Sequence, residues 1–255
     1  MWSLIFFFIF GLIIGSFLNA VIYRLHSGES VARGRSKCFN CQQTLSWKDL
    51  VPLLSFVWLR GHCRYCQNHI SWQYPLVELA SGLLFAAAFY IFFSSAVVSL
   101  IIIWQFILSL ILISFCLIIF VYDFRYYLIV EAVVWAGLII MTAANLFIFQ
   151  ISWVSLAAAG AGASLFFWLQ LVISRGRWLG SGDVLLGLFM GLTLGWPKVI
   201  VALVLAYWVG AAMGLILLAM NKKQLGSRIP FGPFLMIGLL VTWFWGDYLI
   251  TLLYG

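Results

Sequence analysis

The chain has 255 residues, of which 65% are hydrophobic and 8% are charged, and its formal net charge is +7. Soluble globular domains carry about 25% charged residues, so this composition excludes a water-soluble fold and indicates a protein that lies in lipid. The positive charge does not indicate a nucleic-acid partner. The basic residues stand in short segments between apolar runs, which is the pattern of membrane topology.

The first element is a single apolar run from Met1 to Tyr23, and the first basic residue, Arg24, follows it. A removable signal peptide has the opposite order and a shorter apolar stretch. We therefore predict a retained first helix that enters the membrane from outside.

Further apolar runs follow along the chain, and a helix needs about 20 such residues to cross a bilayer. The sequence has eight candidates, of which the sixth is short, and they predict an all-α polytopic membrane protein. They cover residues 2–23, 76–95, 97–121, 129–149, 152–173, 183–196, 199–220 and 232–253.

The basic residues predict the orientation of these helices. With the N-terminus outside, the inward-facing loops are 24–75, 122–128, 174–182 and 221–231. These loops hold 13 of the 14 Lys and Arg residues, and Lys198 is the exception. An excess of Lys and Arg marks cytoplasmic loops, so we predict that these four loops face the cytoplasm.

The polar interval after the first helix contains two Cys-x-x-Cys pairs, separated by 21 residues. The four thiols are those of Cys38, Cys41, Cys63 and Cys66. Two such pairs are typical of a structural zinc site, and disulfides rarely persist in the cytoplasm. Redox pairs and unligated thiols are the alternatives. Four thiolates would close the coordination sphere, which argues against a catalytic zinc ion.

Two histidines near these pairs are alternative ligands, and a fifth cysteine lies elsewhere in the chain. His62 and His69 flank the second pair, and we interpret them as ordinary loop residues. Cys116 stands alone in the third apolar run and is interpreted as a small apolar filler.

Two aspartates stand at membrane edges, where charge is costly. Asp123 ends the third helix and Asp183 begins the sixth, so the predicted topology places both at the same face and at similar depth. Two neighbouring carboxylates can share a proton, one acting as a base toward water and the other as an acid toward a peptide group. This pattern indicates aspartic-peptidase chemistry.

Glycines surround the second aspartate. Gly180 and Gly182 precede it, and Gly187, Gly191 and Gly195 follow at steps of four, which predicts a helix stripe open to a neighbouring helix. Structural roles are the alternative for both carboxylates. Asp123 would then pair with Arg125, and Asp183 would cap its own helix.

These motifs together resemble the bacterial type IV prepilin peptidases over nearly the whole chain. Residues 15–25 (GSFLNAVIYRL) are similar to the family's opening helix, and residues 38–66 to its four-cysteine module. Residues 70–79 (ISWQYPLVEL) resemble the stretch that follows the module. Gly180–Asp183 matches the family's Gly-x-Gly-Asp motif, and Asp123 stands in the place of the partner aspartate.

The resemblance implies a membrane aspartic endopeptidase with Asp123 and Asp183 as catalytic residues. Such enzymes cut the basic leader from prepilins or pseudopilins at the cytoplasmic face of the inner membrane, typically between glycine and phenylalanine. Many also methylate the new N-terminus with S-adenosylmethionine. The implied regions are a first helix (1–25), a zinc loop (26–75) and a peptidase region (76–255). Glu78 is a candidate for attracting the leader, with an interfacial ion pair as the alternative.

Three positions depart from the family pattern. His26 and Val130 stand where proline is frequent, and Leu185 stands where lysine is usual, two residues after the second aspartate. None of these departures removes a catalytic carboxylate.

Two other functions are alternatives to the peptidase. A non-catalytic membrane scaffold would use the zinc loop to dock a partner. A transporter would use the aspartates as a proton relay, but transporters place such groups near the bilayer midplane and often show matching halves.

Overall fold

The computed structural model describes residues 2–94, 99–220 and 229–254, and within these ranges it contains helices and no strand. The prediction of an all-α fold is therefore confirmed. The nine α-helices of this part of the chain are α1 (Trp2–Ser27), α2 (Leu54–Trp58), α3 (Gln73–Phe93), α4 (Leu100–Tyr126), α5 (Glu131–Phe147), α6 (Trp153–Ile173), α7 (Ser181–Leu194), α8 (Lys198–Ala219) and α9 (Gly232–Tyr254).

Each of the eight predicted apolar segments contains a helix, but the count of eight membrane spans is not confirmed. Six of these helices are long and apolar enough to cross a membrane, namely α1, α3, α4, α6, α8 and α9. Helix α7 has 14 residues and is about 21 Å long, whereas the hydrocarbon core is about 30 Å thick. Helix α5 has 17 residues. Lys222, Lys223 and Arg228 of the fourth inward loop lie outside the described residues.

Residues 1–118 form the first of two compact units. Helices α1 and α3 approach closely because small residues line their contact. A Cβ atom on Gly15 would lie 2.7 Å from the Cα atom of Glu78, and one on Gly11 would lie 2.6 Å from the carbonyl oxygen of Ser81. Asn19 of α1 donates to the carbonyl of Tyr74 at 3.1 Å, which joins α1 to the start of α3.

Residues 119–255 form the second unit, and the short helix α7 lies at its centre. This helix contacts α5, α6, α8 and α9, so its neighbours shield it from lipid although it is too short to span the bilayer. Asn145 of α5 donates to the carbonyls of Leu192 and Thr193 at 2.8 and 2.9 Å, which holds the far end of α7.

The glycine stripe of α7 is shorter than predicted. Gly187 and Gly191 face α6, where a Cβ atom on Gly187 would lie 2.6 Å from the Phe167 ring and one on Gly191 would overlap the Ala159 carbonyl. Gly195 does not belong to the stripe, because α7 ends at Leu194. The φ of Gly195 is +70°, a conformation that glycine adopts readily at the end of a helix.

Lys198, the exception to the charge pattern, is paired within the second unit. Its ammonium lies 2.8 Å from the Asp247 carboxylate, so α8 and α9 carry opposite charges at this end. The carboxylate of Asp247 therefore balances the positive charge of the one basic residue that falls outside the predicted cytoplasmic loops.

Candidate active site and metal centre

The side chain of Asp123 lies on the last turn of α4, with only 6% of its surface exposed. The backbone N–H of Gly232 donates to Oδ2 of Asp123 at 2.8 Å. Gly232 is the first residue of α9, and the first N–H groups of a helix have no partner within the helix. The start of α9 thus orients a buried carboxylate that lies 109 residues earlier in the chain.

Asp183 is the third residue of α7 and is 8% exposed. Its Oδ2 atom accepts the N–H of Gly180 at 2.9 Å, so the capping contact considered from the sequence is present. Gly182 allows close packing at this point, because a Cβ atom there would lie 2.6 Å from the Ile129 side chain. Each aspartate is therefore oriented through one oxygen by a glycine N–H.

The two aspartates belong to the same unit. Helix α9 connects them, because Gly232 contacts Asp123 on one side and faces Leu186, one turn after Asp183, on the other. Where two buried carboxylates lie close together, a state in which one of them holds a proton is favoured, and such a pair can activate a water molecule between an acid and a base.

An aromatic and an amide side chain near the start of α9 were missed by the sequence analysis. The hydroxyl of Tyr207, on α8, donates to Oε1 of Gln170 at 2.9 Å. The ring of Tyr207 contacts that of Phe231, the residue before Gly232, at 5.0 Å between centroids. The one local signal was Pro230-Phe231-Gly232-Pro233, a turn-forming segment directly before an apolar run.

The four predicted cysteine ligands come together in the first unit. Their sulfur atoms all lie within 4.8 Å of one another, and those of Cys38 and Cys66 are 3.8 Å apart. Zinc–sulfur bonds of about 2.3 Å in a tetrahedron place sulfurs about 3.8 Å apart. All four cysteines are free thiols, so the group fits a zinc ion.

Both Cys-x-x-Cys pairs have the same backbone turn. The N–H groups of Gln42 and Gln67 donate to the carbonyls of Cys38 and Cys63, four residues earlier, at 2.9 and 3.0 Å. Both glutamines have positive φ, at +56° and +58°. The repeated turn directs each pair of thiols to one side of its loop, which brings the two pairs together.

Local hydrogen bonds favour the ionised form of one of these thiols, which is the form that binds a metal ion. A backbone hydrogen bond from Asn68 is the main reason that the pKa of Cys66 falls to about 6. The thiolate, which is the form that binds metal, therefore predominates at Cys66 near neutral pH. Burial has the opposite effect on Cys63 and raises the pKa of that thiol.

Asp49 joins the two halves of the cysteine loop. Its carboxylate accepts from the N–H and the hydroxyl of Ser46, from Nε of Arg64 at 2.7 Å and from the hydroxyl of Tyr65 at 3.2 Å. Burial raises the pKa of Asp49, but these hydrogen bonds outweigh it and hold the pKa below its usual range. Arg64 and Tyr65 are the two residues between Cys63 and Cys66. The hydrogen bonds of Asp49 to their side chains therefore hold the loop that carries the second cysteine pair.

Comparison with known proteins supports a single family for both units. Residues 9–92 match the model of the bacterial peptidase A24 N-terminal domain, and residues 110–215 match that of the type IV leader peptidase family. The chain is 30% identical to the prepilin leader peptidase/N-methyltransferase of Bacillus subtilis, over 96% of this chain and 95% of the relative.

Proteins of the same name from other bacteria are similar to the chain to the same degree. Identity is 32% with that of Pectobacterium carotovorum, over 90% of this chain and 88% of the relative. The identity with the protein of Burkholderia pseudomallei is 33%, over 99% of this chain and 89% of the relative. The chain belongs to the prepilin leader peptidase/N-methyltransferase family. No solved structure matches it.

The three departures from the family pattern lie at helix ends or beside the site. His26 is in the last turn of α1, and Val130 immediately precedes α5, where proline is well tolerated. Leu185 follows Asp183 by two residues on α7 and is partly buried. The hydrogen bonds of Asp123 and Asp183 described above do not involve any of them.

The other residues singled out in the sequence, Glu78, His62, His69 and Cys116, are held by contacts within the protein or are buried. Glu78 is buried in the first unit, where its carboxylate accepts the N–H of Leu53 at 2.9 Å and a hydrogen bond from Ser16. Its role toward a substrate leader stays a prediction. The rings of His62 and His69 contact each other at 4.1 Å, and Cys116 is buried in α4 with 1% exposure. The metal-binding group found among the described residues contains neither histidine.

Proposed function

We propose that this multi-pass membrane protein is an aspartic endopeptidase that removes the basic leader from type IV prepilins or pseudopilins. The observation that carries the proposal is the pair Asp123 and Asp183, which belong to one compact unit, are both buried and are each oriented by a glycine N–H group. The names of the relatives supply the substrate class.

The proposed reaction uses one water molecule held between the two carboxyl groups. The ionised carboxylate takes a proton from the water, and the water oxygen bonds to the scissile carbonyl carbon. The protonated carboxyl gives its proton to the carbonyl oxygen, which forms a tetrahedral intermediate. The carbon–nitrogen bond then breaks as the carboxyl that took the water proton gives it to the amine nitrogen, and the other carboxylate takes back a proton from a hydroxyl of the intermediate. Gly180 and Gly232 hold one oxygen of each carboxyl, so the other is directed to the water.

The position of the pair suits a substrate with a basic leader and an apolar helix. Asp123 lies in the last turn of α4 with Arg125, Asp183 lies in the first turn of α7, and Arg175 and Arg177 stand in the segment before α7. In the proposed topology, which the distribution of basic residues favours, these helix ends face the cytoplasm at the bacterial inner membrane and the N-terminus is outside. A scissile bond between leader and helix lies at the same depth.

The second proposed activity is methylation of the new N-terminal amine. The relatives are named N-methyltransferases, and S-adenosylmethionine is the proposed methyl donor. We assign no residue to this cofactor. In the proposed organisation, residues 26–75 form a cytoplasmic loop whose four cysteines hold a structural zinc ion, which replaces the small apolar core of so short a segment.

The direct test uses the purified protein in liposomes with a synthetic prepilin. The substrate has a short basic leader ending in glycine, then phenylalanine and an apolar helix of about 20 residues. We expect mass spectrometry to show cleavage before the phenylalanine, and a gain of one methyl group only when S-adenosylmethionine is present. An intact prepilin after long incubation would contradict the peptidase assignment, and cleavage without methylation would contradict the second activity alone.

The zinc site gives a separate prediction through Asp49. Asp49→Asn removes the charge that holds Ser46, Arg64 and Tyr65 and turns an acceptor into a donor. Groups that orient metal ligands typically change metal affinity by about 10–100-fold. We expect zinc transfer from the detergent-solubilised protein to a colorimetric chelator at pH 7 to become about tenfold faster.

Glu29→Gln is the matched control, because Glu29 is an exposed carboxylate of the same loop and lies 4.0 Å from Lys37. It should release zinc at the rate of the unmodified protein. Since the pKa of Asp49 is lowered, its stabilising charge is present at neutral pH and is lost only when the pH falls through that pKa. Equal zinc release from both variants and the unmodified protein would refute the role of Asp49.

A further inference from the structure

A groove of about 460 Å³ lies between α6 and α8 in the second unit. We call it the α6–α8 groove, and its twelve lining residues include none with a charge. Ala158, Gly162 and Phe166 stand at steps of four on α6, and Val204 and Tyr207 line the opposite side. Residues four apart share a helix face, so α6 presents a face of mostly small residues to the groove.

Gly162 is the informative residue of this face. A Cβ atom there would meet no atom of the described residues within 4 Å, whereas one on Gly160 would lie 3.0 Å from the Leu192 side chain. The packing of α6 against α7 therefore accounts for Gly160 but not for Gly162. Glycine inside a helix is unfavourable, and in membranes it allows another helix to approach closely. Gly162 is thus suited to contact a helix from another molecule.

One end of the α6–α8 groove lies near the candidate active site. Tyr207 lines the groove, and its ring contacts that of Phe231 at 5.0 Å between centroids. Phe231 directly precedes Gly232, whose N–H donates to Asp123. The opposite end of the groove is at Trp196, just after α7 ends. Between Val199 and Tyr207 the groove follows α8 for about 12 Å. The groove therefore runs from Tyr207, near the candidate active site, toward the end of α7 that is farther from Asp183.

We propose that the α6–α8 groove binds the apolar helix of the prepilin, with Tyr207 beside the scissile bond. This inference rests on the proposed function and names the binding surface for the part of the substrate that follows the leader. When the scissile bond lies at Asp183, the helix after it extends away from the leader, which is the direction of the groove. The uncharged lining suits such a helix, whereas a charged segment would lose its hydration there.

Photo-crosslinking tests contact with the helix. The photoreactive residue p-benzoylphenylalanine replaces Trp208, or Trp245 as the matched control, in an Asp183→Asn background that slows cleavage. Both are exposed tryptophans, so an aromatic side chain replaces an aromatic one, but Trp208 lines the groove and Trp245, on α9, does not. We expect an adduct with the synthetic prepilin from position 208 and not from position 245. Adducts with lipid alone, with a second copy of the chain, or equally from both positions would refute the groove.

A kinetic test measures the contribution of the groove to cleavage. Gly162→Phe fills the groove, so the preference for the full prepilin over a peptide without the apolar helix should fall about tenfold. Binding energy from remote parts of a substrate contributes to kcat/KM in this way. Gly214→Phe should keep the preference of the unmodified protein, because Gly214 is a helical glycine of α8 whose Cβ position is also open, and it does not line the groove. An unchanged preference in Gly162→Phe would refute the inference, whereas absence of cleavage by the unmodified protein would instead contradict the proposed function.

Discussion

Asp123→Asn and Asp183→Asn are each expected to reduce prepilin cleavage by about 10³-fold or more. Loss of a catalytic acid or base typically costs about 10²–10⁴-fold, and here each carboxyl is needed at both proton transfers. The asparagine oxygen can still accept the N–H of Gly232 or Gly180, so the local fold should persist. Single-turnover cleavage of the synthetic prepilin in liposomes, followed by mass spectrometry, measures the effect.

The control for these variants is Asp247→Asn, which makes the same chemical change at an exposed carboxylate paired with Lys198. It should cleave at the rate of the unmodified protein, because a surface ion pair contributes at most about 1 kcal/mol to stability. Circular dichroism should show equal helix content in all three variants. Near-normal cleavage by either Asp123→Asn or Asp183→Asn would eliminate the dyad and favour a structural role for these carboxylates.

Gly232→Ala is expected to lower kcat by about 10²-fold with a smaller change in KM. The added Cβ atom would lie 2.6 Å from Oδ2 of Asp123 and 3.3 Å from Leu186, so the carboxylate must move or α9 must shift. Misplacing a catalytic group by about 1 Å can cost about 10²-fold. Steady-state kinetics with the synthetic prepilin separates the two parameters, because Gly232 orients a catalytic group and is not proposed to bind substrate.

Gly214→Ala provides the comparison, since it adds the same methyl group to a helical glycine with open space around it. Its kcat should equal that of the unmodified protein, and its stability should rise slightly because alanine favours helix more than glycine does. If Gly232→Ala kept its kcat, the contact between the start of α9 and Asp123 would have no part in catalysis.

Local motifs made the two aspartates and the four cysteines predictable. Gly180, Gly182 and Asp183 stand within four residues, and each Cys-x-x-Cys pair spans four residues. Each motif can therefore be recognised in a short segment of the sequence. Tyr207 and Gln170 had no such signal, because an isolated tyrosine or glutamine in an apolar run is common in membrane proteins. Their hydrogen bond to each other, and the contact of Tyr207 with Phe231, depend on how α6, α8 and α9 pack together.

Two expectations about α7 needed the structure. The glycine at position 195 continues the four-residue spacing, but the helix ends one residue before it and its φ is positive. The segment counted as a sixth span is only 14 residues long and lies among α5, α6, α8 and α9. Spacing alone does not reveal where a helix ends or whether lipid or protein surrounds it.

Composition and the order of charges were sufficient to establish an all-helical protein in lipid, because the bilayer imposes a length and a charge bias that any spanning segment must satisfy. The contact between Gly232 and Asp123 was decided only by folding. It joins residues 109 positions apart through a backbone N–H, a group that every residue except proline carries and that leaves no trace in the amino-acid sequence.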